Sequence, residues 1–95
     1  MIFAKLNYSD CYEDVHDSVS ILLEEYFDNT ECGLQCDSWI WVRIDEAKVA
    51  VDTFTAMTHE VKSDKPGKHV EDVISVLSKK FSVDVYAQPE PEAHE

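Results

Sequence analysis

Residues 38–55, SWIWVRIDEAKVAVDTFT, constrain this chain more than any other stretch. Ile40, Val42 and Ile44 alternate with Trp39, Trp41 and Arg43, and beyond Asp45 and Glu46 Val49 and Val51 alternate with Ala50 and Asp52. Period-two alternation of β-branched and aromatic residues is the pattern of strands with one buried face. A turn at Asp45 and Glu46 pairs Ile44 with Ala47, Val42 with Val49, and Ile40 with Val51. That register gathers every aliphatic on one side, and a one-residue slip scatters them. The other side carries Trp39, Trp41 and Arg43.

The flanking segments extend the pattern. Residues 1–8 alternate as a first strand. Ser9 or Asp10, with Glu13, forms a capping box for a helix whose apolar stripe is Tyr12, Val15, Val19, Leu22, Leu23 and Tyr26. Residues 29–37 read as a loop. The second hairpin strand runs on, with a bend, through Phe54, Met57 and Val61. Residues 62–69 form a polar loop around Pro66 and Gly67. Val70, Val73, Ile74, Leu77 and Phe81 mark a second helix with Lys79 and Lys80 in its last turn, and Val83, Val85 and Ala87 mark a final strand.

The order β-α-β-β-α-β, with right-handed crossovers, predicts an α+β two-layer sandwich of ferredoxin-like shape. Its sheet is four-stranded and antiparallel in the order 4-1-3-2, with both helices on one face. Residues 1–88 form the single domain, and residues 89–95 form a disordered acidic tail. The length of 95 residues supports one modest core.

Function is less legible. Twenty acidic against eight basic side chains leave a formal charge of −12, which repels phosphate backbones and anionic membranes and suits a basic partner. The same charge also serves plain solubility. The first ten residues lack a basic-then-apolar leader, no apolar run reaches membrane length, and three cysteines leave one unpaired. A reduced cytoplasmic protein follows. No cofactor is expected. Cys32 and Cys36 stand as C-x3-C with no second ligand pair at zinc spacing, so no metal is expected either. Lys65, Lys68 and His69, at the start of the second helix, suggest an anion pocket but lack a phosphate-loop pattern.

Two surfaces remain. The sheet face away from the helices collects Phe3, Trp39, Trp41, Arg43 and Tyr86, with the tryptophans on an edge strand. Aromatics on such a face stack bases in RNA-recognition domains. Here the basic-glycine-aromatic signature is missing and the charge is wrong, so a homodimer interface is the simpler use. The second surface is the first helix. No lysine or arginine stands between Lys5 and Arg43, and Glu13, Asp14, Asp17, Glu24, Glu25 and Asp28 share the face opposite the apolar stripe, with Ile21 among them. An aliphatic ringed by carboxylates suits a basic protein surface. The leading expectation is therefore a small, non-enzymatic, acidic interaction module: a regulator, an inhibitor or a nucleic-acid mimic. A ligand-sensing or enzymatic sandwich using the open sheet face or residues 65–69 is the alternative, and RNA binding through the sheet aromatics is the third.

Overall fold

The computed structural model describes residues 1–92. Eight elements follow in order: β1 (Ile2–Asn7), α1 (Tyr12–Tyr26), β2 (Thr30–Gln35), β3 (Asp37–Ile44), β4 (Ala47–Asp52), β5 (Glu60–Lys62), α2 (Lys68–Leu77) and β6 (Ser82–Glu90). The fold is α+β, and its antiparallel sheet has six strands in the order β2-β3-β4-β5-β1-β6.

The β3–β4 hairpin has the register expected, with Ile44 opposite Ala47, Val42 opposite Val49 and Ile40 opposite Val51. Asp45 makes the turn at φ 55°, a left-handed conformation that aspartate tolerates better than most residues. Ile40, Val42, Val49 and Val51 are fully buried. They meet Val15, Val19, Leu22 and Leu23 of α1 and Val70, Val73, Val76 and Leu77 of α2 in one core, so both helices cover the same sheet face.

The four-stranded, ferredoxin-like sheet is corrected in two places. Residues 29–37 are not a loop, because Thr30–Gln35 pairs along β3 and adds a strand at the edge. β3, with both tryptophans, is thereby an interior strand. Residues after Asp52 do not continue β4. The chain leaves the sheet, returns, and pairs antiparallel to β4 as β5, with Val61 opposite Val51. β5 then separates β4 from β1. The four expected strands keep their relative order, with one strand inserted and one appended.

Other corrections are local. Cys11 caps α1 and no side chain closes a capping box. Tyr26 is exposed, with the Lys79 ammonium 5.4 Å above its ring. α2 ends at Leu77, before Lys79 and Lys80. β6 takes in Pro89 and Glu90, which the sequence assigns to a tail, and Glu92 reaches Lys62 at 3.5 Å. Residues 93–95 of that expected tail lie outside the described residues.

Candidate functional site

Helix α1 presents its acidic residues as a continuous outer face. Glu13, Asp14, Asp17, Glu24 and Glu25 are exposed, and so is Asp28, two residues beyond the helix. Burial of Val15, Val19, Leu22 and Leu23 orients this face outward, since residues three and four apart share a side. Ile21 stands on it with 54% of its surface exposed. Asp17 precedes Ile21 by four residues, and Glu24 and Glu25 follow by three and four, so carboxylates flank the aliphatic along the helix axis.

β2 extends this surface. Cys32 lies opposite Ile40 and Leu34 opposite Ser38, so both side chains stand on the helix side of the sheet. Leu34 is 44% exposed. Cys32, on a strand that α1 packs against, has its thiol pKa raised, first by burial and then by the charges of Glu24 and Asp17. The Tyr12 hydroxyl donates to the Cys36 carbonyl and ties the start of α1 to the β2–β3 turn.

The sheet-face set is divided. Trp39 and Trp41 pack together at 4.6 Å between ring centroids, with Lys48 4.3 Å above Trp41 and Arg43 ion-paired with Glu31 at 3.6 Å. Trp39 lies against Gly33, where an added Cβ would sit 2.6 Å from the ring. Phe3 is not on this face. β1 is irregular between Ile2 and Ala4, where two β1 residues advance against one of β5, and this turns Phe3 into the core. Tyr86 sits where β6 breaks register against β1, and with Phe3, Val70 and Ile74 it lines a hollow of about 240 Å³ against α2.

The centre of the open face holds a buried cation that the sequence places in a loop. Lys62 is 3% exposed, and its ammonium lies 2.7 Å from Asp52, 3.5 Å from Glu92 and 3.8 Å from Glu60. Burial, the largest influence, lowers its pKa. The hydrogen bond and charge of Asp52, with Glu92 and Glu60, outweigh it and hold the pKa above the ordinary lysine value. Much of this face is thus covered by the chain itself.

A second polar group lies inside the fold. Ser38 Oγ is 2.5 Å from His16 Nδ1 and 2.7 Å from His59 Nε2, and His59 Nδ1 is 2.7 Å from the Tyr8 hydroxyl. The His59 backbone N–H donates to that hydroxyl at 3.0 Å. Ser38 Oγ carries one proton and two lone pairs, so it can donate to at most one of the two imidazoles. A serine beside an imidazole is the first requirement of nucleophilic catalysis, but Ser38 and His59 are fully buried, so Oγ is closed to solvent in this conformation.

The hollow at residues 65–69, about 610 Å³, is lined by Asp45, Glu46 and Asp72 as well as Lys65, Lys68 and His69. Lys68 is held by Asp72 at 2.9 Å and His69 Nε2 lies 3.1 Å from Ser63 Oγ, so two of the three side chains that suggested an anion pocket are already engaged. Among the described residues no three His, Cys, Asp or Glu side chains converge as a metal site, and no helix is long and apolar enough to cross a membrane.

No family model, curated protein or solved structure matches the chain.

Proposed function

We propose that this chain is a small acidic interaction module that binds a basic protein surface through α1. The observation that carries the reading is Ile21, half-exposed between Asp17, Glu24 and Glu25 on a helix without a lysine or arginine. The carboxylates steer a basic partner and raise the association rate, and the aliphatic supplies the desolvated contact that slows release. The open sheet face is the weaker candidate for a homodimer, because Gly33, Lys48 and the Lys62 ion cluster already occupy much of its surface. The Lys65–His69 hollow supports an anion site less well, for Asp45, Glu46 and Asp72 also line it and Asp72 holds Lys68.

The test is affinity capture followed by binding kinetics with the captured basic protein. Raising salt from about 0.05 M to about 0.5 M should weaken binding mainly through the on-rate. Asp17→Lys and Glu24→Lys should do the same, and Ile21→Ala should speed dissociation about tenfold. Affinity indifferent to salt and to both charge reversals would sink the reading.

A further inference from the structure

The sheet ends on β2 and β6, and the two edges differ. β6 carries Pro89, which lacks an N–H, and its register against β1 jumps from Val85 to Glu90. Both features blunt an edge. β2 has neither: residues 30–35 pair without interruption along β3, and among the described residues nothing pairs with the outer side.

The orientation of the free backbone groups follows from one bond. The Arg43 N–H donates to the Asn29 carbonyl at 2.9 Å, in register with the β2–β3 ladder. Hydrogen-bonded and non-bonded pairs alternate in an antiparallel ladder, so Glu31, Gly33 and Gln35 bond inward to β3. Thr30, Cys32 and Leu34 therefore turn their N–H and C=O groups outward. The side chains of these same three residues stand on the helix side, where α1 packs against β2 and where Glu24 and Asp17 act on the Cys32 thiol.

We propose that the outer edge of β2 accepts an extended, lysine- or arginine-bearing strand of a partner protein, which lies beside the acidic face of α1. The proposal rests on the reading of α1 as a basic-partner surface and specifies how that partner is held. Backbone pairing with Thr30, Cys32 and Leu34 supplies affinity, and alternate side chains of the incoming strand meet Leu34 and the carboxylates of Asp17 and Glu24. A second copy of this chain is a poor occupant, because pairing β2 with β2 would bring two carboxylate-rich surfaces together.

The probe is a short peptide of alternating lysine and valine, with a twin N-methylated along both edges. The plain peptide should bind about tenfold tighter than its twin, a difference that the loss of one or two hydrogen bonds would produce. It should also slow hydrogen exchange at the Thr30, Cys32 and Leu34 amides. Cys32→Pro removes an outward donor without touching the ladder to β3, and it should weaken the plain peptide alone while Trp41 amide protection stays unchanged. Equal affinity of the two peptides, or indifference to Cys32→Pro while Asp17→Lys still weakens binding, overturns strand addition and leaves the charged face standing. Failure of both peptides to bind in a salt-sensitive manner overturns both readings. A dimer of the free protein with protected β2 amides would make a second copy the occupant and overturn the proposal.

Discussion

Ser38 holds two imidazoles, one from α1 and one from the segment before β5. Truncation by Ser38→Ala leaves both ring nitrogens without this partner in a buried setting. It should cost about 1–3 kcal/mol in urea unfolding. His59 gives the network a pH dependence, because burial, and secondarily the charge of His16, lowers its pKa to about 4. In the unfolded chain it titrates near the ordinary value of about 6.5. Between those values the unfolded state binds a proton that the folded state refuses. This contribution to stability is therefore complete above about pH 6.5 and declines as pH falls toward about 4, by about 3 kcal/mol in total. Urea midpoints at pH 7 and pH 4.5 should show the decline, and His59→Gln should remove most of it. At Lys62 the raised pKa has the opposite sign: its ion-pair stabilisation is present below the unfolded lysine pKa and is lost as pH rises beyond the folded one. Lys62→Met leaves Asp52 buried without its cation and should cost about 3–5 kcal/mol, with Asp52→Leu in the same chain recovering much of the loss.

At the scale of elements, the acidic face of α1 carries a local cost, although Glu13 and Asp14 favour the helix dipole at its start. Glu13 and Asp17 are a like-charge pair at i,i+4 within the helix. Asp10 and Asp14, and Glu24 and Asp28, have the same spacing, but Asp10 and Asp28 lie outside the helix. Asp17→Lys should stabilise the free protein by about 0.5 kcal/mol, read from thermal unfolding, while weakening partner binding. A change that raises stability and lowers affinity separates a binding role from a structural one. β2 depends on a close approach: Gly33→Ala would place a Cβ against the Trp39 indole, so the ring must shift and its fluorescence should change. The β3–β4 hairpin was legible because both strands alternate strictly. β2 was not, because Thr30, Glu31, Cys32, Gly33, Leu34 and Gln35 cover an edge and bury little, leaving no hydrophobic period to detect.

For the molecule as a whole, much of the charge of −12 falls on the stretch between Lys5 and Arg43, which holds no lysine or arginine. Self-repulsion of this kind is screened by salt. The free protein should therefore gain thermal stability between about 0.05 M and about 0.5 M salt, while any complex with a basic partner loses affinity over the same range. The acidic face and exposed Ile21 could be placed from sequence because helical periodicity is local: burying Val15, Val19, Leu22 and Leu23 leaves those residues outside. His16 and Ser38 could have been found by the same logic, since His16 lies on the stripe side of α1 and Ser38 has the parity of Ile40 and Val42. His59 and Lys62 carried no such signal. By itself, the sequence determined the two helices, the central hairpin with its register, and the placement of negative charge, all of which follow from spacing over a few residues. Only the tertiary structure decided that β5 lies between β4 and β1, that β2 forms a free edge beside α1, and that Lys62 is buried among carboxylates. Those outcomes depend on pairing between residues distant in sequence, where matching a backbone edge or a buried charge with its partner outweighs local preference.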